Sequence, residues 1–185
     1  MKKKLLFVVL GITMLSAFGY AQTHRVTELG GTLMLINTST DLLIGGGINL
    51  APILYIGDTV GWGFYAGLMY APAPYNKETH IIVLDTLFGP VFKIILNERF
   101  RLPIAAGAYF NYLYAIGPVY GPDEIRIREA SSGFSVGAGA NITAEYSLNE
   151  KIHIYGRLQG AYTFLRGGDL SITLSIGIGF YPKEM

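Results

Sequence analysis

Seven ionisable side chains are the residues of this chain best placed to do chemistry: Glu28, Asp85, Lys93, Arg101, Glu145, His153 and Arg157. Each interrupts an alternating apolar stretch, where a carboxylate or cation must be paired or hydrated. Such a set could form an ion-pair network, line a selective pore, or act as acid and base. Catalysis finds little support. The histidines are limited to His24, His80 and His153, and there is no Cys. Ser131 and Ser132 stand near Glu129, but no spacing makes either a nucleophile with its base. His80 and Glu78 could contribute to a metal site, which needs three or four ligands, and no further ligand is in sight. Gly45-Gly46-Gly47 is followed by no Lys-Ser/Thr and no helix, so it is not a phosphate loop. No enzyme activity, cofactor or metal is expected, and the seven ionisable groups are read as a lumen-facing charged network.

The elements that must position them come from parity. Between Leu42 and Phe180 the even positions of the strand-like stretches are apolar or small and never charged, as in Trp62, Phe64, Ala66, Leu68 and again in Leu170, Ile172, Leu174, Ile176, Ile178. Odd positions hold Asn49, Asn111, Asn141, Gln159 and, of the ionisable groups, Asp85, Lys93, Arg101, Glu145, His153 and Arg157, with many Gly, Ser and Thr. A period of two sends alternate side chains to opposite faces of a strand. One face is wholly apolar and the other polar, on runs that reach the roughly 9 to 11 residues needed to cross a bilayer. The pattern predicts an all-β, up-and-down antiparallel transmembrane barrel of eight strands, apolar outward and polar inward. A helical hairpin in an inner membrane is the competing reading of 42–72. The glycines there and the strict parity oppose it.

Lys2, Lys3 and Lys4 precede an apolar run from Leu5 to Phe18 and then Gly19-Tyr20-Ala21. This is the make-up of a secretory signal peptide, cleaved after Ala21, so residues 1–21 are expected to be the signal and 22–185 the barrel domain. Losing three of the fourteen Lys and Arg leaves eleven against thirteen Asp and Glu, a net charge of minus two. Nothing there attracts nucleic acid. The expected partners are outer-membrane lipid, the outer-membrane insertion machinery during biogenesis, and small solutes.

Turn signals divide the mature chain into segments 26–36, 42–56, 60–70, 82–96, 100–114, 134–148, 152–164 and 170–181. Gly57-Asp58-Thr59, Asn97-Glu98-Arg99 and Asn149-Glu150-Lys151 are short links that keep the outward parity. The alternate links are longer on average, and 115–133, with Pro118, Pro122 and a charged run, is expected to be a large outer loop. Tyr70, Tyr112, Tyr114, Tyr162 and Phe164 on the loop side, and Phe100, Tyr146, Phe180 and Tyr181 on the turn side, suit interfacial girdles. Pro52 and Pro90 fall inside strands of a sheet without edges, so a bulge or break is expected at each. Inward-facing glycines at 45, 47, 61, 63, 67, 107, 137, 139, 177 and 179 leave volume for a water-filled cavity or narrow pore, the competing reading being close backbone approach and strand bending without any cavity. Across one hairpin Glu145 stands diagonal to Arg157 and His153, and an ion pair between Glu145 and Arg157 is predicted.

With its signal segment, eight alternating stretches, short turns opposite longer loops and a last strand from Leu170 to Tyr181, the mature chain resembles the small eight-stranded outer-membrane barrels typified by OmpA, OmpX and OmpW. Ser175, Gly177 and Phe180 fit part of the insertion signal that such barrels carry in the last strand. The chain continues past it to Met185 instead of ending on an aromatic residue. The resemblance implies location in the cell outer membrane and service as a narrow passive channel or small-ligand-binding barrel. The alternative is a structural or adhesive surface protein acting through its outer loops, mainly 115–133.

Overall fold

In the computed structural model, residues 23–37, 42–73, 78–120, 126–164 and 168–181 are described, side chains excepted at 23 and 118–131. Residues 1–21, where a signal peptide is expected, lie outside them. The eight strands are β1 (Thr23–Asn37), β2 (Leu42–Ile56), β3 (Val60–Pro72), β4 (His80–Ile95), β5 (Phe100–Tyr120), β6 (Arg126–Ser147), β7 (Ile152–Thr163) and β8 (Leu170–Phe180). Every neighbour pair is antiparallel, and β8 returns to β1, with Leu29 opposite Ile178 and Leu33 opposite Leu174, to close the barrel. Closure leaves no edge within the membrane-spanning part, as a sheet in lipid requires. No helix occurs among the described residues.

Strand burial alternates residue by residue. On β8, Leu170, Ile172, Leu174, Ile176, Ile178 and Phe180 are exposed, while Ser171, Thr173 and Ser175 are buried. This is an inside-out pattern for a water-soluble sheet and the expected one for a barrel solvated by lipid. In β1 the parity is reversed, so that even-numbered Glu28, Thr32 and Met34 point inward.

Two of the short turns form without glycine. The Asn97 side-chain oxygen accepts from the backbone N–H of Arg99 (2.9 Å) and Phe100 (2.8 Å), and Asn149 does the same for Lys151 and Ile152, both at 2.9 Å. Asparagine thereby supplies acceptors that stand in for a backbone turn. In the third turn Gly57 takes a positive φ of 69°.

The proline expectation is met by a break in the ladder and not by a bulge. Neither Pro52 nor Pro90 shifts the register: Leu50 faces Ala66 and Ile53 faces Gly63, and Phe88 faces Ala108 while Val91 faces Ala105. Each proline instead leaves a two-residue gap in the ladder on one side only, and Pro52 still faces Thr27 as Pro90 faces Trp62. A ring without an N–H removes a hydrogen bond but need not insert a residue.

The large-loop expectation is corrected. β5 and β6 pair without interruption from Ile104 opposite Ile142 up to Gly117 opposite Glu129 and Tyr120 opposite Arg126. β4 accompanies β5 only to Ile116, and β7 accompanies β6 only from Gly137. The segment 115–133 is thus mainly a two-stranded ribbon standing beyond the rim. Outside the bilayer no lipid imposes an apolar face, so the parity signal fades although the strands continue.

Of the girdle aromatics, Tyr70, Tyr112, Tyr162 and Phe164 lie outward near the loop end, and Tyr146 and Phe180 near the turn end. Tyr181 does not join them; its hydroxyl turns into the lumen mouth beside Arg101 and Glu145.

Candidate functional site

The lumen contains the predicted ionisable residues, distributed unlike a uniform polar lining. Inward positions on β6, β7, β8 and β1 carry Ser135, Asn141, Thr143, Glu145, His153, Arg157, Gln159, Ser171, Thr173, Ser175, Thr32 and Glu28. Inward positions on β2 to β5 carry fewer polar groups, Asn49, Asp85, Lys93, Arg101 and Asn111, among Ile53, Tyr55, Tyr65, Leu87, Val91 and Tyr109, which with Val26 and Ala161 form an apolar core. Towards the loop end, Met34, Ile36, Leu43, Met69 and Val83 form a second apolar cluster, joined by Ile81 and Leu113. The interior of an eight-stranded barrel is just wide enough for side chains to fill, and here they fill it as a core.

At the centre of the polar side is Arg157. Its guanidinium makes an ion pair with Glu28 and donates from Nε to Thr143 Oγ1 at 3.0 Å. Tyr65 and Tyr155 flank it, with ring centroids 4.4 and 5.0 Å away, so the cation rests between two π faces. The expected pair between Glu145 and Arg157 is not formed. The reason is strand β8, where Ser175 faces Arg157 and Gly179 faces both His153 and Glu28. Such short side chains leave a low path across β8 for Arg157 to reach β1.

Gly179 and Gly30 make this crossing possible. A Cβ on Gly179 would run into the His153 ring, and one on Gly30 into the Tyr155 hydroxyl and the backbone of Ile176. Over these glycines His153 Nε2 comes to 3.4 Å from Glu28 Oε1, and Tyr155 donates to Asn49 Oδ1 at 2.6 Å. The glycines counted as free volume are therefore occupied by neighbouring side chains or backbone, which corrects the cavity expectation. The space bounded by Thr32, Asn49, Tyr65, Asp85, Arg157, Gln159 and Ser175 is about 10 Å³, room for one water.

The remaining ionisable groups lie at two levels. Asp85 accepts from Gln159 Nε2 at 3.1 Å near mid-barrel. Near the turn end, Lys93 Nζ sits 4.0 Å from the centroid of Tyr55, Arg101 donates to the Tyr181 hydroxyl at 2.5 Å, and that hydroxyl donates to Glu145 Oε2 at 3.3 Å. Glu28, Glu145 and His153 bring ligand atoms within 4.8 Å of one another. Three such groups could hold a cation, but Arg157 already neutralises Glu28, and the cations of Arg101 and Lys93 occupy the same mouth. The arrangement is an ion-pair and hydrogen-bond cluster. At the outer rim His80 Nδ1 and Tyr70 Oη are 2.5 Å apart, and no ligand group of three forms around His80 and Glu78 among the described residues.

The contributions of Tyr65, Tyr155, Thr143 and Tyr181 were not read from the sequence. Odd parity marks the first three as inward, but parity does not say which bulky side chain a cation will meet.

No protein-family model and no curated protein matches the chain. Solved structures do. The attachment invasion locus protein Ail of Yersinia pestis aligns at 14% identity and a TM-score of 0.61, over 85% of this chain and 97% of that one. Neisserial surface protein A aligns at 12% and 0.63, over 84% and 96%. A major outer membrane protein of Thermus thermophilus aligns at 12% and 0.63, over 85% and 99%. At such identities the likeness is one of fold. The chain is an eight-stranded transmembrane β-barrel of the outer-membrane type.

Proposed function

We propose that this barrel is a sealed platform in the outer membrane that presents the β5–β6 ribbon at the cell surface and works by contact, not as a pore and not as an enzyme. The observation that carries the reading is the ribbon itself. From Gly117 opposite Glu129 to Tyr120 opposite Arg126, β5 and β6 pair only with each other, roughly 13 Å of two-stranded ribbon at about 3.3 Å per residue, standing on a stretch of β6, Ala130 to Ser135, that β7 does not accompany. Binding functions concentrate on segments projected by a rigid scaffold. The lumen argues in the same direction, because Met34, Met69, Val83, Leu87 and Tyr109 are almost wholly without solvent contact along its length. Two of the similar solved structures are an attachment invasion locus protein and a surface protein, names in keeping with this role.

The test joins adhesion to conductance. Residues 118–128 are replaced by Asn-Gly, which suits a two-residue hairpin between Gly117 and Glu129. Displayed on a non-adherent bacterial host, the full chain is expected to increase attachment to extracellular-matrix proteins and the shortened chain to lose that gain. Purified protein in a planar bilayer is expected to give no stepwise current. Stepwise current from the intact barrel, or attachment indifferent to the ribbon, overturns the proposal.

A further inference from the structure

A closed sheet has no place where a proline is free of consequence, so the gap at Pro52 calls for an explanation. Between Leu50–Ala66 and Ile53–Gly63, residues Ala51 and Pro52 stand opposite Phe64 and Tyr65 without ladder pairing. On the outside of the wall this leaves a cavity of about 430 Å³, lined outwardly by Thr27, Pro52, Leu54, Trp62, Phe64 and Phe88. Trp62 stacks on Phe88 at 5.3 Å between centroids, giving the groove a flat aromatic side.

Arg25 stands at one lip. It pairs across the sheet with Leu54, close to the Gly57–Thr59 turn, and so lies at the level where the periplasmic leaflet has its headgroups. Among the strand residues whose side chains are described it is the one Lys, Arg, Asp or Glu on the outward face, and no described carboxylate pairs with it. A guanidinium presents a fork that fits phosphate in two-point hydrogen bonds. From Arg25 the groove runs past Leu54 and Trp62 to Phe64 and Phe88, towards the membrane centre. A second outer-wall cavity, of about 340 Å³ beside Ala138, Ala140, Gly160 and Leu170, has comparable volume but no charged lining.

The geometry points to a binding site for one glycerophospholipid of the periplasmic leaflet, its phosphate on Arg25 and one acyl chain in the Pro52–Trp62–Phe88 groove. The proposal is independent of how the outer ribbon works.

Trp62 is the sole tryptophan of the chain, so its fluorescence reports occupancy directly. The refolded protein in neutral detergent micelles is titrated with phosphatidylglycerol carrying brominated acyl chains, which quench tryptophan on contact, and in parallel with the corresponding brominated diacylglycerol, which lacks phosphate. The wild type is expected to show saturable quenching by the phospholipid at one equivalent per barrel, and only weak quenching by the diacylglycerol. Arg25→Gln should shift half-saturation by about tenfold, the scale of one lost charge-assisted contact. Thr27→Phe, which fills the groove from β1 without adding a tryptophan, should abolish saturation. Quenching that rises only in proportion to bulk lipid, that is equal for both lipids, or that is unchanged in Arg25→Gln overturns the site. If Thr27→Phe does not refold, the Arg25→Gln and diacylglycerol comparisons still decide.

Discussion

Arg157 on β7 reaches over the small side chains of β8 to pair with Glu28 on β1, joining the strands on either side of the closing one. Both partners are almost completely buried, at 3% and 0% exposure. A buried pair is weak evidence of net stabilisation, but losing one partner strands the other charge.

Glu28→Gln and Arg157→Met are each expected to destabilise the refolded barrel, by about 3–5 kcal/mol if no water enters. The double variant should lose less than the sum, with a coupling of about 0.5–3 kcal/mol. Glu145→Gln combined with Arg157→Met should be additive within about 0.5 kcal/mol. Urea unfolding in vesicles measures all of these. Coupling to Glu145 instead of Glu28 would contradict the crossing of β8.

Glycines divide by what lies above them. Gly179→Ala and Gly30→Ala force a methyl into the His153 ring and the Tyr155 hydroxyl, and each should cost about 1–3 kcal/mol as overpacking does. Outward-facing Gly156 and Gly160 have nothing within 4 Å of an added Cβ, so alanine there should be neutral or stabilising by about 0.4–1 kcal/mol. Equal losses at all four positions in the same unfolding assay would mean that backbone freedom, and not close approach, selected them.

The lipid-facing register has a depth signature. Leu174→Arg, at a mid-strand position 56% exposed, should hinder insertion by about 2–4 kcal/mol, whereas Leu148→Arg beside the periplasmic turn should cost about 0–1 kcal/mol. Folding yield into vesicles, read from heat-modifiable gel mobility, checks the contrast. Similar costs at the two depths would sink the membrane register.

Asn97→Ala and Asn149→Ala each remove an acceptor that serves two backbone N–H groups in a tight turn. Each should destabilise by about 0.5–3 kcal/mol, since exposed donors recover some loss through water. Amide hydrogen exchange at Phe100 and Ile152 should rise in the matching variant only. Unchanged protection would remove the side-chain explanation of these glycine-free turns.

How much of this was legible beforehand follows from what each feature depends on. Outward Leu174 and inward Ser175 are fixed by a period of two and by a lipid solvent, both of which act residue by residue along a single strand. For that reason the eight strands, the short turns and the inward direction of Glu28, Asp85, Lys93, Arg101, Glu145, His153 and Arg157 could be read directly. Partnership could not. Glu145 and Arg157 are near in sequence and were matched across one hairpin, yet Arg157 pairs with Glu28, from which it is separated by most of the chain and to which it comes close only when β8 meets β1. The same closure decides whether inward glycines make a cavity, because the side chains that cover Gly30 and Gly179 arrive from other strands. The ribbon at 117–129 escaped notice for the opposite reason: its pairing is local, but beyond the bilayer nothing compels one face to be apolar, and the only signal that distinguishes a strand there is the partner it finds.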